Sequence, residues 1–396
     1  MRFLLACMQF PTEPGHSYLT TELASALRDA GHEVEVLHLD WNAEPQAVED
    51  APRLWNGMRV VRCTPRFFGG LGRLARHASK FVLSGRHAAR VARRSLQLER
   101  FDVFITWTPV LAFSPVMRMV RRAGVACRQL IIWDFFPDHY HQIGRIPAGP
   151  PYWIAKAWEQ RLMQDFTAIL CTLPQNAAYL RRAFRTAPEQ KVLVTPIWTD
   201  VTPAPEADRA AVRRKHGLPE QSPIAVFGGK IVEGRGFDQM LAAAEAAARG
   251  GSDLRFLFVG EGRLAPMVRA KAGTCPEVMW RPPMSRQAYL ELLGACDVGL
   301  VATVPGVTSF SIPSKTLDYL RAGLPAVVAI EPGNEFAALL ERYGVGRTVA
   351  FGDAEGFFRA AEALAAAGGV GSAAQRCLDE VFHVRHAVAA VMDAAA

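Results

Sequence analysis

Short apolar runs alternate with amphipathic stretches along the whole chain. The first run, Arg2–Met8, predicts a buried strand, and Ser17–Ala30 repeats leucine and alanine at helical spacing until Gly31, a residue type common at helix C-termini. Glu33–Leu39 predicts the next strand. Further strands are predicted at Val103–Trp107, Cys127–Trp133, Ala168–Thr172 and Lys191–Thr195. Such alternation of strands and helices indicates a parallel sheet that is covered on both faces.

The pattern breaks at Pro196–Pro223, where five prolines with charges between them predict an interdomain linker carrying one short helix. Beyond it, strands are predicted at Ile224–Phe227, Leu254–Val259, Val278–Trp280, Val298–Ala302 and Ala326–Ile330, and helices at Phe237–Arg249, Arg286–Ala295 and Ser314–Ala322. We therefore expect two α/β domains, each a Rossmann-like, doubly wound parallel sheet: residues 1–200 with a C-terminal helix at 383–396, and residues 201–382. Because ligands of such sheets bind beyond the carboxyl ends of the strands, the expected site is a cleft across which the domains face each other.

Composition narrows the class of protein. The 396 residues are 50% hydrophobic and 21% charged, which excludes a disordered or coiled-coil chain. Lys and Arg exceed Asp and Glu by 45 − 38 = 7, and this basic balance favours anionic partners. The seven cysteines are scattered without a CxxC pair, which argues against a disulfide framework or a zinc site. The scattered cysteines are typical of reduced cytosolic thiols, so we expect a cytoplasmic protein. No apolar run reaches the ~18 residues of a membrane span.

The most informative stretch joins a strand end to a helix. It reads Phe227-Gly-Gly-Lys-Ile-Val-Glu-Gly-Arg-Gly-Phe237, with Lys230 and Arg235 on either side of the turn. Glycines such as Gly229 allow a ligand to approach the backbone closely. Two cations across a tight turn can flank a diphosphate, which makes them candidate catalytic residues. The alternative is a solvated basic loop.

A second stretch, Thr303–Leu320, runs from a strand end through a loop rich in Gly, Ser and Thr into a helix. The loop amides and the helix N-terminus predict a second anion site, with Ser314 as N-cap. Asp318, one turn into the helix, can accept hydrogen bonds from the two hydroxyls of a ribose. The alternative is an ordinary capped helix. The candidate donor-binding residues of this stretch are Thr308, Ser309, Phe310, Ser311, Ser314, Lys315 and Asp318.

Together these segments resemble the donor-binding half of the family four glycosyltransferases. The family's G-R-…-E-K-G loop is similar to Gly229–Gly236 with the two basic types exchanged. Its V-G-x-G strand end is similar to Val259–Gly262, and its A-x-D-V-G-L segment to Ala295–Leu300. The P-S-K-x-x-E-Y-x-A-x-G-x-P box resembles the stretch from Pro313 to Pro325. The form of this box is similar to that of the subgroup that builds surface polysaccharides, including fucosamine-type transferases.

The N-terminal half resembles the same family at Gly31–Val34, Trp133–Pro137 and Pro196–Asp200. The resemblance implies a GT-B fold in which residues 1–200 bind the acceptor and residues 201–382 bind a nucleoside-diphosphate sugar, with Gly260 and Glu261 in the donor site. It implies transfer of a hexosyl-type sugar to an acceptor hydroxyl with retention of configuration. The sequence departs from the family at Phe310, where a glutamate is frequent, near Trp133, where a histidine is frequent, and at Asp318, which is one carbon shorter than the usual glutamate.

Further candidates complete the predicted site. The loop after the first strand, with Gly15 and His16, is expected to reach the diphosphate or the sugar. Asp134 or Asp138 orients the acceptor, although Asp134 can equally be a strand-end cap. Because preorganised cations and amides stabilise a departing diphosphate, and no Asp-x-Asp signature is present, we predict no metal and no cofactor. A nucleotide-sugar epimerase and a non-catalytic binding subunit on the same fold are the alternatives.

Arg59–Arg100 is strongly basic, with eleven Lys or Arg residues against the single acid Glu99. An apolar stripe runs through Leu71–Leu96, and the cations lie mainly off it. A basic amphipathic helix of this kind predicts peripheral docking at the anionic inner face of a membrane, which suits a lipid-linked acceptor. The alternative is a helix with a solvated basic side. No recognition motif accompanies the charge, so nucleic acid is not an expected partner.

Overall fold

The chain divides into two compact units. The computed structural model describes residues 1–13, 17–44, 52–70, 72–204, 208–309 and 311–396. Unit 1 comprises Met1–Trp198 and Val384–Ala396, and unit 2 comprises Thr199–His383. The predicted boundaries are 200/201 and 382/383. The acceptor-binding and donor-binding roles of the two units stay predictions.

Unit 1 is built on an eight-stranded sheet in the order β3-β4-β2-β1-β5-β6-β7-β8. Helices cover this sheet, so the predicted fold class is confirmed for this half. Its elements are β1 (Arg2–Cys7), α1 (Leu19–Asp29), β2 (Glu33–Leu39), β3 (Pro52–Trp55), β4 (Met58–Cys63), α2 (Arg73–Ser95), β5 (Val103–Trp107), α3 (Ser114–Arg122), β6 (Cys127–Ile132), α4 (Asp138–Gln142), α5 (Pro150–Met163), β7 (Ala168–Cys171), α6 (Pro174–Ala183) and β8 (Lys191–Val194), with 3-10 helices at Leu98–Arg100 and Val110–Phe113.

The central strands of this sheet are parallel and buried on both faces. In β1, Leu5 lies opposite Val36 of β2 on one side and Ile105 of β5 on the other, and all three are fully buried. A strand covered on both faces needs a nearly continuous apolar run instead of an alternating one, and this is the pattern the sequence showed.

One edge of the sheet departs from the predicted all-parallel arrangement. Strands β3 and β4 form an antiparallel hairpin in which Trp55 lies opposite Met58. Asn56 and Gly57 make the turn, with φ values of 48° and 76°. Positive φ at both turn residues defines a type I′ hairpin turn, for which Asn-Gly is a strongly preferred sequence. The sequence therefore carried the signal for this hairpin, although the strand prediction omitted it.

Helices α2, α3, α5 and α6 cover the same face of this sheet. Their buried residues, among them Ala88, Val116, Leu162 and Leu180, belong to one hydrophobic core. Helix α2 also packs closely on the 3-10 helix Val110–Phe113, since a Cβ at Gly85 would lie 2.5 Å from the carbonyl oxygen of Ala112. The outer faces of these four helices therefore share one side of unit 1.

Unit 2 is built on a six-stranded parallel sheet in the order β11-β10-β9-β12-β13-β14. The predicted fold class is confirmed here as well. Its elements are α7 (Arg209–Lys215), β9 (Ile224–Gly228), α8 (Phe237–Arg249), β10 (Arg255–Val259), α9 (Ala265–Ala272), β11 (Val278–Arg281), α10 (Arg286–Leu293), β12 (Val298–Ala302), α11 (Lys315–Arg321), β13 (Ala326–Ala329), α12 (Glu335–Arg342), β14 (Gly346–Thr348), α13 (Ala354–Ala367) and α14 (Gly371–Cys377).

The chain ends in unit 1 with α15 (Val384–Ala395). This helix packs against α1, β6 and β8. Gln129, fully buried in β6, donates from Nε2 to the carbonyl oxygen of Val391 at 2.8 Å. The NH2 group of this buried amide thus finds a partner in the last helix, whereas its Oε1 has none among the described residues.

Candidate functional site

The carboxyl ends of β9, β10 and β12 lie side by side in the sheet of unit 2. The loops that follow these strands therefore emerge at one edge, and they contain both stretches singled out in the sequence. The amide of Gly229 donates to the carbonyl of Val259 at 3.0 Å, and the amide of Ile231 donates to that of Glu261 at 3.0 Å. The predicted residues Gly229, Gly260 and Glu261 thus belong to two loops that are hydrogen-bonded to each other.

Glycines set how closely these loops approach. A Cβ at Gly260, whose φ is +145°, would lie 1.9 Å from the carbonyl oxygen of Gly229. A Cβ at Gly236, whose φ is +59°, would lie 2.4 Å from the Cβ of Ala302. No larger residue fits at either position without displacing the backbone. The glycines therefore keep the backbone of three loops together at the sheet edge.

Two of the predicted cations act on each other at this edge. Burial, and then the nearby charge of Arg235, lower the pKa of Lys315 well below its ordinary range. The Nζ of Lys315 lies 4.8 Å from the ring centroid of Phe227, the penultimate residue of β9. Lys230 is exposed one residue beyond Gly229. Among the ion pairs between described residues, none involves Lys230, Arg235 or Lys315, so this edge carries positive charge that no carboxylate neutralises.

Buried hydroxyl groups lie beside these cations. The Oγ1 atoms of Thr303 and Thr316 are buried, and neither has a hydrogen-bond partner within the described part of the chain. Thr316 follows Lys315 directly, and the carbonyl of Thr303 lies 2.6 Å from the position of a Cβ on Gly236. Buried polar atoms without partners are costly in a finished protein interior. Two such atoms therefore lie close to the cations of this edge.

The structure confirms the N-cap position predicted for Ser314 but shows no capping by its side chain. Ser314 occupies the N-cap position of α11 with φ −55° and ψ −26°, and its side chain makes no capping hydrogen bond. A capping side chain needs an extended backbone at this position, whereas Ser314 is already helical. Helix α11 has only seven residues, and we assign no anion site to its N-terminus. Thr308 is exposed, Ser309 is buried and Ser311 lies between these extremes.

Asp318 is not free, as the sequence suggested, but is held by a residue that the sequence analysis missed. Arg286, at the start of α10, donates to both of its carboxylate oxygens, at 2.6 and 2.5 Å. The two residues are 32 positions apart, so no local motif joins them. Glu261 is likewise paired, with Arg269 at 3.0 Å.

Two tyrosines that the sequence analysis missed contact the glycine turn at the end of β9. The hydroxyl of Tyr319 accepts a hydrogen bond from the amide of Gly228 at 3.4 Å and donates to the carbonyl of Leu300 at 3.2 Å. A Cβ at Gly228 would lie 1.9 Å from the hydroxyl of Tyr289. Burial raises the pKa of both phenols, so both remain neutral hydrogen-bonding groups. The position of the Tyr289 ring explains why residue 228 is glycine, and that of the Tyr319 ring explains why residue 299 is.

In unit 1, the predicted acceptor residues fall into two classes. Asp138 is buried, and its carboxylate is occupied by contacts within the protein. It accepts hydrogen bonds from Tyr152 at 3.0 Å, Lys156 at 2.5 Å and Tyr179 at 2.7 Å. It therefore ties α4 to α5 and α6, which corrects its suggested role. The carboxylate of Asp134 is partly exposed and no hydrogen bond to it is found in the described ranges, while its carbonyl accepts from Thr108 at 2.8 Å.

Aromatic rings surround the neighbour of Asp134. The ring of Trp133 lies 5.7 Å from that of Tyr18, 5.6 Å from that of Trp107 and 6.3 Å from that of Trp198. The position near which the family often has a histidine is therefore occupied by the centre of an aromatic cluster. Gly15, His16 and Phe310 lie outside the described residues.

The basic stretch is less uniform than predicted. Arg59 pairs with Glu35, Arg62 pairs with Asp40, and Lys80 donates to the carbonyl of Trp41 at 2.7 Å. These three cations therefore serve the packing of α2 and β4 instead of an outer surface. The exposed cations of α2 with described side chains are Arg76, Arg86, Arg90, Arg93 and Arg94.

Two further searches concern the described residues alone. In those ranges, no group of three or more His, Cys, Asp or Glu side chains lies close enough together to hold a metal ion. Metal independence stays a prediction. No described helix has the length and apolar character that crossing a membrane requires.

Comparison with known proteins matches both halves of the chain. Family models match residues 15–198 as a glycosyl transferase 4-like domain and residues 222–367 as glycosyl transferases group 1. WcaI of Escherichia coli K12, named as a colanic acid biosynthesis glycosyl transferase, is 25% identical over 84% of each chain.

Solved structures share the fold. Sucrose-phosphate synthase from Thermosynechococcus elongatus has a TM-score of 0.69 at 14% identity, over 98% of this chain and 96% of that one. Anabaena Alr3699/HepE in complex with UDP and glucose has a TM-score of 0.65 at 15% identity, over 99% and 98% of the two chains. These structures show the GT-B fold, and the two family models show that the chain belongs to the family four glycosyltransferases.

Proposed function

We propose that the protein transfers a sugar from a nucleoside-diphosphate sugar to an acceptor hydroxyl, and that the diphosphate binds at the carboxyl edge of the unit 2 sheet. The observation that carries the proposal is the arrangement of this edge: glycines hold the loops after β9, β10 and β12 together. Lys230, Arg235 and Lys315 lie on these loops or directly after them and form no ion pair within the described residues. Like charges held together are unfavourable unless an anion joins them. The complex of HepE with UDP and glucose, on the same fold, supports this assignment.

The difficult part of the reaction is stabilising the diphosphate as it leaves and the sugar carbon gains oxocarbenium character. Preorganised cations and amides do this without reorganising during the reaction. In this proposal Lys230, Arg235 and Lys315 supply the cations, and the backbone around Gly229 supplies the close approach. The departing phosphate accepts the proton of the acceptor hydroxyl, configuration is retained, and neither a metal nor a protein nucleophile takes part.

The nucleoside is proposed to bind at Asp318. Its two oxygens each accept one hydrogen bond from Arg286, and a carboxylate has about four acceptor positions in all. Two positions are left for the hydroxyls of a ribose. Arg286 would then fix the direction in which these positions point.

The acceptor side of the proposal rests on unit 1. The relation to WcaI supports a role in surface polysaccharide or glycoconjugate synthesis. We propose that the protein works in the cytoplasm, at the inner face of the membrane, where the exposed arginines of α2 attract anionic lipid. Each such charge contributes about 1 kcal/mol near the surface, so several together give reversible docking. Asp134 is proposed to orient the acceptor.

A thermal-shift screen tests the function directly. Nucleoside diphosphates are tested first, followed by the sugar conjugates of whichever base binds, because a specific ligand stabilises the folded state by mass action. The expected result is one preferred base and slow hydrolysis of one conjugate in the absence of acceptor. Isomerisation of the sugar without acceptor would show an epimerase. Binding without any turnover would show a non-catalytic subunit.

A further inference from the structure

Helix α5 presents an apolar outer face. Trp153 and Ile154 are each 64% exposed and Trp158 is 40% exposed, although all three are large and apolar. The other exposed residues of the helix are Pro150, Pro151, Ala157 and Arg161. Exposed tryptophans are unusual on a solvated helix, and a cluster of them marks an interaction surface.

No negative charge faces outward from this helix. Glu159 is the only acid in residues 139–164, and it is fully buried, accepting hydrogen bonds from the amides of Val110 at 2.7 Å and Leu111 at 3.2 Å. Lys156 also turns inward, to Asp138. The outer face therefore consists of apolar side chains and one cation, Arg161.

The basic helix α2 lies in the same layer of unit 1. Both α2 and α5 pack on the 3-10 helix Val110–Phe113, and their buried residues share one core. Arg86, Arg90 and Arg93 follow one another on the outer side of α2 at helical spacing and line a cavity of about 250 Å³ with Ala89 and Pro115. Positive charge on one helix thus accompanies exposed indoles on another, on the same side of the sheet.

We infer that the outer face of α5 inserts into the interfacial layer of an anionic lipid bilayer, with Trp153 and Trp158 as its anchors. Indole rings combine an apolar body with a polar N–H, which suits the boundary between headgroups and acyl chains. The arginines of α2 supply the matching charge for anionic headgroups, and no acidic side chain of α5 opposes them. This inference rests on the membrane docking proposed above and not on the transferase chemistry.

Vesicle partitioning of the full chain tests the inference. The probe is vesicles of phosphatidylcholine with phosphatidylglycerol, in low and high salt. We expect Trp153→Ala with Trp158→Ala to lower partitioning at least about tenfold in both salts, because apolar burial is not screened as charge is. Trp153→Phe with Trp158→Phe retains most of the apolar area and should partition within about threefold of wild type. A matched control, Leu54→Ala with Met267→Ala, removes two exposed apolar side chains elsewhere and should have no effect.

Each remaining outcome bears on the inference. Wild-type partitioning of the double alanine variant would overturn the inference for α5. If variants with neutral residues in place of the α2 arginines nevertheless lose binding, only the docking proposed for α2 is supported. A wild-type chain that ignores vesicles would overturn both. A change from dimer to monomer in the alanine variant, measured by light scattering, would identify a self-association surface instead. Fluorescence of the wild type, but not of the phenylalanine variant, should be quenched by brominated acyl chains.

Discussion

Arg286 and Asp318 form a two-pronged ion pair in which both guanidinium NH2 groups reach the carboxylate, at 2.6 and 2.5 Å. The pair joins the first turns of α10 and α11, and both side chains are largely buried. Arginine is suited to this geometry because its planar fork matches the two carboxylate oxygens. Asp318 therefore has a fixed orientation before any ligand arrives.

Removing this fork should weaken nucleotide binding. Arg286→Ala frees Asp318 to rotate, and Asp318→Asn removes the charge; each is expected to lower affinity for the preferred nucleoside diphosphate about tenfold or more, which is ~1.4 kcal/mol. Calorimetry measures the effect. Because the two residues act as one unit, the double variant should lose less than the sum of the single losses. Additive losses would contradict a shared role.

The cations of the sheet edge should govern turnover. Lys230→Ala and Arg235→Ala are each expected to reduce kcat at least ~10²-fold, as happens when one preorganised donor to a developing anion is removed. Arg249→Ala is the matched control, because Arg249 is exposed at the far end of α8. Wild-type rates in the first two variants would remove these residues from the site.

Substitutions at Gly236 and Gly251 distinguish the effect of close packing on stability from the effect of backbone strain. Their φ values are +59° and +66°, but a Cβ at Gly236 meets Ala302 at 2.4 Å, whereas a Cβ at Gly251 has no neighbour within 4 Å. Alanine at either position incurs a left-handed backbone penalty of about 1–2 kcal/mol. Gly236→Ala should lower the free energy of unfolding by a further ~1–3 kcal/mol, measured in urea. Equal losses in the two alanine variants would show that the backbone around Gly236 moves to accept the added methyl group at no measurable cost.

The exposed arginines of α2 should attract lipid through charge. Replacing Arg90, Arg93 and Arg94 with Gln should weaken vesicle binding more at low salt than at high salt, because screening already removes much of their attraction at high salt. The control neutralises Arg214, Lys215 and Arg249, which are exposed in unit 2. If both triple variants bind alike, the attraction depends on net charge and not on α2.

Glu159 should make the stability of unit 1 depend on pH. Burial raises its pKa to about 8, from an ordinary value of 4.5, so the folded protein keeps a proton that the unfolded chain releases. Its contribution is fully present below about pH 4.5 and is lost as the pH rises towards 8, at no more than ~1.4 kcal/mol per pH unit. Glu159→Gln should abolish this slope in urea titrations, whereas Glu99→Gln, at an exposed position, should retain it.

The parallel core of both sheets could be predicted because doubly buried strands are nearly continuous apolar runs. Val103–Trp107 and Val298–Ala302 were assigned with the bounds that the structure has. Strand ends followed by glycines and basic residues also located the sheet edge in unit 2. Such local patterns can be recognised in a sequence because they depend only on residues close together in the chain.

Contacts between distant segments could not be predicted in this way. Arg286 pairs with Asp318, which lies 32 residues further along the chain. Asp138 accepts hydrogen bonds from side chains on two later helices, those of Tyr152, Lys156 and Tyr179. A single carboxylate in a sequence has the same appearance whether it faces a ligand or a buried lysine. The β3–β4 hairpin is a different case, because its Asn-Gly turn is a local signal in the sequence.

Helix α15 has a consequence for how the protein is made. It supplies a carbonyl that accepts a hydrogen bond from buried Gln129 and packs on α1, β6 and β8, yet it follows all of unit 2 in the chain. A ribosome adding about 5–20 residues per second needs roughly 10–40 s to synthesise the intervening segment. For that time the first sheet lacks one of its covers, and unit 2 can finish folding before unit 1 does. The surface of unit 1 that α15 covers therefore stays open to solvent until synthesis of the chain is complete.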